Sequence, residues 1–430
     1  MSIQKFFKIG KVKIYPICRS LTGDGTLKTL KIIKKNFKNF KIKNFKSRQK
    51  VFDWKIPSQW DIKDAYIIDK YKKKIVNFKN NNLHIVGYSM PINKKIDLEQ
   101  LLQKLYTISN KQDAIPYITS YYKKSWGFCV TERFKRKLRK DYNIKDKFHV
   151  VIDSKFNQRG KLNYGEYYIK GKSKKEILIS TYICHPSMAN DNLSGIIVSM
   201  ALINFFNSRK NNKSIRFLFL PETIGSIAYI YKNLNILKRN VIGGYILSCI
   251  GDDKKHSCMF TKYGDKISDD CLRQTYKQKK INYKNYSFLH RGSDERQFCS
   301  PGIDLPLASI FRTKYGEFPE YHNSMDNFNL VTLRGLNGGF AVAKQSILNL
   351  DNRIIPIAKH ICEPQLGKRG LYKLLSEKNV IDNQDCWKIL DFLQYADGTN
   401  DINKIAKYIK LDTSIVKKLY SFLVGEKLLQ

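Results

Sequence analysis

Long apolar runs alternate with helical runs in the second half of this 430-residue sequence. Four runs are apolar at nearly every position, as is typical of strands buried on both faces of a sheet: EILISTYI, SIRFLFLP, VIGGYILSCI and LPLASIF. Two helical segments separate them, SGIIVSMALINFF and TIGSIAYIYKNL, and LRGLNGGFAVAKQSILNL closes the series. The alternation predicts an α/β fold, a sheet flanked by helices. In such sheets, binding sites lie at the carboxyl ends of the strands.

The first part of the sequence has a different pattern. Residues up to about 50 are predicted to be helical after the turn LTGDGT, with an apolar face that begins at Thr26. Short strands punctuated by proline and asparagine follow and predict a small β-rich domain. We place this domain at residues 51–146, as an insertion in a discontinuous α/β domain made of residues 1–50 and 147–360.

The last region, residues 365–430, contains three short helical runs. Asp401 is a good N-cap residue for one of them, and either Asp412 or Thr413 is a good N-cap for another. The spacing predicts a winged-helix-like unit with a helix-turn-helix core. The run DTSIVKKLYSFLV has Lys417 and Lys418 but no arginine, asparagine or glutamine of the kind that reads base edges. We therefore expect a packing or interaction role rather than sequence-specific nucleic-acid binding.

A formal net charge of +41 suggests a polyanionic partner. The lysines are spread along the chain and accompany abundant asparagine, isoleucine and tyrosine, a bias that AT-rich codons produce. The charge therefore predicts no more than non-specific attraction to polyanions. Dispersed cysteines without a CxxC pair, and the lack of a leader-like N-terminus or a bilayer-length apolar run, predict a cytoplasmic protein with no membrane partner. The sequence leaves a homo-oligomer open.

Polar residues follow the predicted strands at the point where each strand ends. His185 and Asp191 come after EILISTYI, Glu222 follows SIRFLFLP, and His322 lies beyond LPLASIF. Each has an ordinary explanation by itself, such as a core histidine, a helix N-cap or a charge on a helix dipole. Because these strand ends meet at one edge of a sheet, the group as a whole favours a zinc site. Asp191 would also serve as the N-cap of the following helix.

The segment ANDNLSG, residues 189–195, resembles the core motif of the zinc aminopeptidase superfamily, which includes transferrin-receptor-like and glutaminyl-cyclase-like proteins. The resemblance implies that His185 and Asp191 are metal ligands and that Glu222 is the general base. It also implies that His322, in EYHNSMDN, is the last metal ligand. GSDERQF followed by GIDLPLASI is similar to the family segment that precedes its late strand.

A bacterial subgroup of aminopeptidase-like proteins of unknown function gives a closer resemblance, which covers nearly the whole chain. It is carried by CRSLTGDGTLKTL, FDWKIP, NLHIVGYSMP, IPYITSYYKKSWGFC, CHPSMANDNLSG, PETIGSIAYI, RGSDERQFCSPGIDLP and PEYHNSMDN. The subgroup implies a zinc-aminopeptidase-like mixed sheet, an inserted β-rich domain and a C-terminal winged helix. It implies no particular substrate.

Three positions depart from the two-zinc pattern of the superfamily. Thr223 stands where a second glutamate would be a metal ligand, and Ser187 stands where an aspartate would orient the first histidine. The other aspartate ligand would fall near Ser248 and Cys249, with Asp252 slightly later. The superfamily's second metal position therefore lacks its usual ligands.

These losses leave His185, Asp191 and His322, which is the usual protein ligand set of a single catalytic zinc with water as the fourth ligand. We therefore expect one zinc ion, and Cys249 or Asp252 could complete the set. Cys184 is predicted to point away from the site, because side chains alternate along an extended segment.

The expected activity is zinc-dependent hydrolysis of an amide or peptide bond, with Glu222 as the general base. The substrate would be a peptide or another small molecule with an amide bond. A single-zinc acyl transferase that resembles glutaminyl cyclase is one alternative, and a degenerate peptidase fold that only binds a ligand is another. The resemblance places the loop RGSDERQF near the substrate, and unless the loop is merely solvated, four of its residues would contact the substrate: Arg291, Asp294, Glu295 and Arg296.

Overall fold

The computed structural model describes residues 3–371 and 383–430. It divides into two compact units, Met1–Leu348 and Asn349–Gln430. The strands are β1 (Lys41–Lys46), β2 (Lys50–Val51), β3 (Trp54–Lys55), β4 (Gln59–Ile68), β5 (Lys74–Asn77), β6 (Ile92–Asp97), β7 (Leu105–Tyr106), β8 (Phe128–Cys129), β9 (Lys147–Asn157), β10 (Lys161–Ile169), β11 (Ser173–Tyr182), β12 (Lys213–Leu220), β13 (Val241–Leu247), β14 (Ser257–Met259), β15 (Lys284–Tyr286) and β16 (Leu307–Phe311). The α-helices are α1 (Ile3–Ile9), α2 (Asp24–Asn36), α3 (Leu98–Leu102), α4 (Glu132–Asp141), α5 (Ser194–Asn207), α6 (Ile224–Asn240), α7 (Ile267–Gln278), α8 (Glu295–Phe298), α9 (Leu333–Asp351), α10 (Asn383–Tyr395), α11 (Ile402–Tyr408) and α12 (Thr413–Gly425). Short 3₁₀ segments lie at Asn82–His84, Phe288–His290 and Gly367–Arg369, and π-type turns lie at Gly10–Ile14 and Ala189–Leu193.

Eight strands form the main sheet of the first unit, in the order β1-β10-β12-β11-β13-β16-β14-β15. β11 pairs in parallel with β12 and β13, and β13 pairs in parallel with β16. β10 and β14 run antiparallel to their neighbours β12 and β16. Every residue of β13 is buried, which explains the apolar character of successive positions in this strand. The predicted α/β fold with a mixed sheet is confirmed, and four parallel strands bring their carboxyl ends to one edge.

The edge strand β1 departs from the prediction of helix up to about residue 50. Helix α2 ends at Asn36, and Lys41–Lys46 then pairs antiparallel with β10. The sequence of this strand, KIKNFK, is rich in lysine, as is common for a strand with one unpaired edge. A long-range partner, rather than local preference, decides the conformation of this segment.

The inserted domain has its own four-stranded sheet, in the order β5-β4-β9-β6. Strand β9 carries FHVVID, which the sequence analysis placed in the α/β domain, but it pairs with β4 and β6. The inserted sheet therefore extends beyond the predicted boundary at residue 146, as far as Asn157. The reason lies in the burial of β9, whose Phe148, Val150 and Ile152 alternate with more exposed residues. Such alternation is typical of an antiparallel strand with one solvated face, unlike the continuous burial of β11 and β13.

The C-terminal unit contains the three predicted helices, α10, α11 and α12. Asp401 caps α11 as predicted, since it accepts the Lys404 N–H, and of the two candidates for α12 the cap is Asp412, which accepts the Ser414 N–H. The segment before these helices forms an antiparallel bridge with the end of the chain, between Ala358 and Leu429. In the described parts of both units, no helix has the length and apolar character needed to cross a bilayer.

Candidate metal and active site

The turn after β11 carries two of the three predicted metal ligands, His185 and Asp191. The wide turn Ala189–Leu193 connects this segment to α5. The carboxylate of Asp326 accepts the backbone N–H groups of Asn190 and Asp191, at 2.6 and 2.8 Å. The loop after β16 therefore braces the backbone of Asp191 from outside the turn.

Asp191 is not the N-cap of α5, so that prediction is wrong. Leu193 occupies the cap position without a side-chain hydrogen bond, and the Ser194 hydroxyl donates to the Asn190 carbonyl at 2.6 Å. The carboxylate of Asp191 instead turns into the site, where Oδ1 accepts the hydroxyl of Tyr182. The helix therefore begins without a side-chain cap, and this carboxylate remains available to the site.

His185, Asp191 and His322 converge, with one potential ligand atom of each within 4.8 Å of the others. Asp191 Oδ2 lies 3.1 Å from His322 Nε2, yet the two atoms form no well-aligned hydrogen bond and both are buried without another partner. Buried polar atoms normally have partners, so this arrangement needs an explanation. A cation among the three side chains would satisfy both atoms, and two histidines with a carboxylate form a donor set that zinc accepts. These residues therefore fit a zinc ion.

Tyrosine rings surround the two histidines. The Tyr117 ring lies 5.2 Å from the His185 ring and 5.1 Å from the His322 ring, and Tyr321 stacks on His322 at 3.9 Å. The Tyr117 N–H also donates to the His322 carbonyl at 2.8 Å. Tyr117 comes from the inserted domain, so this domain completes the wall of the site. Sequence reasoning missed Tyr117, and its one signal was the aromatic density of IPYITSYY.

The other oxygen of Asp191, Oδ1, is engaged by protein groups. It accepts the Tyr182 hydroxyl, and the Cys249 sulfur lies 3.9 Å away. Asp252 faces Thr313, whose backbone N–H and hydroxyl donate to its two oxygens at 2.9 and 2.7 Å. Neither Cys249 nor Asp252, the two suggested fourth ligands, belongs to the ligand cluster found among the described residues.

The protein environment holds the two candidate ligands of the turn in the protonation states that metal binding requires. Burial lowers the pKa of His185 to about 4, so its imidazole is neutral at physiological pH. Burial alone would raise the pKa of Asp191, but His185, His322 and the Tyr182 hydroxyl outweigh that effect and lower the pKa to about 2. Neutral imidazole and ionised carboxylate are the forms that bind a metal.

Glu222 follows β12 and lies beside the ligand cluster. Its Oε2 is 3.7 Å from His185 Nε2, and its Oε1 accepts the Ser293 hydroxyl at 2.6 Å. Burial, together with the negative charges of Asp294 and Asp191, raises the pKa of Glu222 well above its usual value. A raised pKa suits a general base that must accept a proton and later return it. Sequence reasoning gave Ser293 no role, although the RGSDERQF loop was singled out.

Cys184 connects the turns that carry His185 and Glu222. Its sulfur lies 3.8 Å from Nδ1 of His185 and accepts the backbone N–H of Glu222 at 3.3 Å. It is not part of the ligand cluster, but it packs directly behind the site rather than away from it. Burial raises the pKa of this thiol well above its usual value, so it is neutral.

The RGSDERQF loop exposes two of its four predicted substrate-binding residues, Arg291 and Arg296. Arg296 donates to the hydroxyl of Thr223 at 2.8 Å, which places its guanidinium next to Glu222. Arg291 donates to the Phe288 carbonyl at 3.3 Å. Substrate contact stays a prediction for both arginines, and the position of Arg296 supports it more directly.

The other two, Asp294 and Glu295, are buried, with 0% and 1% of their surface exposed. Asp294 accepts the backbone N–H of Thr223 at 2.8 Å. Because Thr223 has a φ of 61°, an unfavourable value for a residue other than glycine, this bond helps to hold the strained backbone after Glu222. Glu295 accepts the Tyr315 hydroxyl at 2.5 Å. In this arrangement both carboxylates support the loop, and direct contact with substrate would require the loop to open.

A family model described as a domain of unknown function, DUF4910, matches residues 11–353, and a winged helix-turn-helix model matches residues 354–430. The chain belongs to the DUF4910 family. A relative from Clostridium acetobutylicum, named as a candidate polysaccharide biosynthesis protein with an aminopeptidase-like domain, is 41% identical over 395 residues, covering 92% of the DUF4910 chain and 89% of the relative.

Solved structures show the same architecture. The crystal structure of a candidate peptidase from Clostridium acetobutylicum has a TM-score of 0.79 and 38% identity, and the match covers 100% of this chain and 96% of that one. A zinc aminopeptidase from Bacillus subtilis has a TM-score of 0.60 at 12% identity, covering 81% and 94% of the two chains, which shows the fold alone. The predicted aminopeptidase-like fold with a C-terminal winged helix is therefore confirmed for this DUF4910 protein.

Proposed function

We propose that this DUF4910 protein is a zinc-dependent hydrolase of amide bonds with an aminopeptidase-like active site. One observation carries the proposal: the buried atoms Asp191 Oδ2 and His322 Nε2 lie 3.1 Å apart with no other partner, within reach of His185 and beside the carboxylate of Glu222. The aminopeptidase-like fold supports a peptidase-like hydrolase as the general class. None of the nine cysteines, all of which lie in the described residues, forms a disulfide bond, which supports a cytoplasmic location.

We propose one zinc ion rather than two, held by His185, Asp191 and His322. A carboxylate that bridges two ions needs both of its oxygens, and here the Tyr182 hydroxyl engages one of the two oxygens of Asp191. The hydroxyl of Thr223, at a position where the superfamily has a ligating glutamate, is bonded to an arginine instead. These contacts support a single metal position.

In the proposed reaction, Glu222 moves the proton. Zinc, when bound, supplies an activated water and polarises the carbonyl of the amide. Glu222 would accept a proton from the water that attacks the carbonyl carbon, and would return it to the nitrogen as the C–N bond breaks. The Ser293 hydroxyl fixes the orientation of the Glu222 carboxylate. The hydrogen bond from the Thr223 backbone N–H to Asp294 holds the turn that carries Glu222. Arg296 lies where it can bind an anionic part of the substrate.

The burial of Asp294 and Glu295 affects which class of substrate the site is expected to bind. An aminopeptidase must recognise a free amine, and an exposed carboxylate is the simplest partner for it. One oxygen of each loop carboxylate accepts hydrogen bonds from Thr223, Tyr315 or neighbouring groups, and the other oxygen is buried away from solvent. This favours an acylated small molecule over a peptide with a free N-terminus. The name of the Clostridium acetobutylicum relative suggests a substrate connected with polysaccharide synthesis.

An acyl transferase with a single zinc ion is the second candidate, because the one metal position proposed above suits it equally. It differs from a hydrolase in the acceptor of the acyl group, so product analysis separates the two. A fold that only binds ligands is the third candidate. The hydrogen bond by which Ser293 orients Glu222, the proposed general base, argues against it.

The first experiment is elemental analysis of protein purified without added metal. We expect about one zinc per chain, lost in His185→Ala and in His322→Ala. His149→Ala is the matched control, because His149 is half-buried on the inserted sheet, outside the ligand cluster, and hydrogen-bonded to Asn93. Two ions per chain would overturn the single-metal proposal, and none would overturn the hydrolase. Amide substrates, from acylated amino sugars to peptides, would then be screened against Glu222→Gln.

A further inference from the structure

A cleft of about 590 Å³ lies in and beside the inserted domain, and the members of the metal-ligand cluster do not line it. Four aromatic side chains form much of its wall, Tyr88, Tyr121, Tyr122 and Phe156. The neutral side chains of Ser58 and Gln158 lie among them. The volume is in the range of roughly 300–1,000 Å³ that is usual for small-molecule sites.

The aromatic faces are held by their own contacts. The Tyr88 ring stacks on Trp60 at 5.5 Å, and its hydroxyl pairs with Thr22 Oγ1 at 2.5 Å. Tyr121 and Phe156 pack edge-on against the Tyr88 ring, with ring centroids 5.1 and 6.1 Å away. Rigid rings lose little entropy on binding, and the C–H face of a sugar ring packs on them through dispersion and apolar burial.

The loop that carries Tyr121 and its neighbours is fixed to an adjacent segment. The backbone N–H of Ser120 donates to the Gly87 carbonyl, and that of Met90 donates to the Ser125 carbonyl, both at 2.9 Å. These bonds hold the loop on both sides of Tyr121. The cleft is therefore formed before any ligand binds.

Cations line the cleft as well: Arg48, Lys55, Lys123 and Lys124. No acidic residue lies among the lining residues, and none of the four cations is ion-paired with a carboxylate in the described part of the chain. Arg48 donates to the Gln158 amide oxygen at 2.7 Å, which orders its guanidinium at the cleft. Uncompensated positive charge around one cavity attracts an anionic ligand.

The cleft and the metal-ligand cluster share one aromatic layer. The hydroxyl of Tyr121, which lines the cleft, lies 3.0 Å from that of Tyr117. The Tyr117 ring in turn contacts both His185 and His322. A molecule held in the cleft would therefore lie two side chains from the proposed zinc position.

We propose that this cleft binds an anionic sugar, one that bears a carboxylate or phosphate, as a part of the molecule whose amide bond reaches Glu222. The rings of Tyr121, Tyr122 and Phe156, which are partly or largely exposed, take the sugar ring over the buried Tyr88. Ser58 and the amide nitrogen of Gln158 bind its hydroxyls, and the cations bind its acidic group. This deepens the proposed hydrolase function and rests on it. A single-stranded nucleic acid also combines rings with phosphates, but it has less need of neutral partners for hydroxyls.

The test is calorimetric binding to the full zinc-loaded chain in a Glu222→Gln background. The probes are a galacturonate trimer, glucose 6-phosphate, neutral maltotriose and a ten-nucleotide single-stranded DNA. The test variant is Lys123→Ala/Lys124→Ala, which removes two exposed cations of the cleft. The control is Lys172→Ala/Lys174→Ala, which removes the same charge from exposed positions at the start of β11, the end of this strand that lies away from the candidate metal site. Equal melting temperatures would show that both variants fold.

We expect at least one anionic sugar to bind at least tenfold more tightly than maltotriose. Its affinity should fall about tenfold in the cleft variant, as expected for two partly exposed charges, and stay unchanged in the control. The proposal fails if neither anionic sugar binds, if both double variants weaken binding equally, or if DNA binds more tightly than the sugars. Hydrolysis is measured separately, so loss of the hydrolase proposal with cleft binding intact, or the reverse, identifies which idea is wrong.

Discussion

Replacing Tyr182 with phenylalanine tests whether Asp191 offers one oxygen or two to metal ions. The Tyr182 hydroxyl donates to Asp191 Oδ1 in the interior, and the Cys249 sulfur, at 3.9 Å, is too weak a donor to replace it. A hydrogen bond to a charged group contributes about 1.5–3 kcal/mol. Loss of a group that orients a metal ligand lowers metal affinity by about 10- to 100-fold, or roughly 1.4–2.8 kcal/mol. The two ranges agree, so we expect zinc affinity to fall by about 10- to 100-fold.

The assay is zinc titration of metal-stripped protein against a chromophoric chelator, with the ion count measured at saturating zinc. Tyr245→Phe is the matched control. Tyr245 lies on the neighbouring strand β13, is as buried as Tyr182, and donates its hydroxyl to the Ser268 carbonyl at 3.1 Å. The control should lose a similar amount of stability and bind zinc as the wild type does.

Two results would contradict this reasoning. Wild-type zinc affinity in Tyr182→Phe would mean that the hydroxyl does not position Asp191. A second bound ion in the variant would mean that freeing Oδ1 is sufficient, and that the threonine at position 223 does not limit the number of metal ions.

Three further predictions concern catalysis, pH and stability. Glu222→Gln should lower amide hydrolysis by about 10²- to 10⁴-fold, the usual contribution of a general base, while the zinc content stays the same. In metal-free protein, the pKa of about 4 for His185 lies below its value of 6.5 in the unfolded chain, so unfolding takes up a proton between these pH values. The free energy of unfolding should therefore be at its full value above pH 6.5 and fall by up to about 3 kcal/mol towards pH 4. Urea unfolding should show this loss in the wild type and a smaller one in His185→Gln. Arg216→Met should destabilise the fold by about 3 kcal/mol, because it removes the two hydrogen bonds of 2.7 and 2.8 Å that Arg216 donates to the buried carboxylate of Glu176. Arg133→Met, which breaks an equally short but exposed pair with Asp113, should have a much smaller effect.

Much of the main sheet could be predicted because its signals are local. β11, β12, β13 and β16 are continuous apolar runs, and a strand buried on both faces has to be apolar at every position. The three ligand candidates were also recognisable, because polar residues follow several of these strands as a group and the segment ANDNLSG resembles a known metal-binding motif. The alternation of apolar residues in β9 is also a local signal and indicates a strand. It does not indicate that this strand pairs with β4 and β6, because those partners are distant in the sequence.

The sequence by itself determined the strand and helix series, the fold class and the residue types of the proposed zinc site. The tertiary structure decided the direction of Asp191, which faces Tyr182 and His322 rather than capping α5. It also decided that Tyr117 of the inserted domain packs on the histidines and that Asp294 supports Thr223 instead of facing solvent. These contacts join residues far apart in the chain, and no periodic pattern encodes them. Local sequence sets what each segment can form, and only the closing of long loops determines which side chains meet.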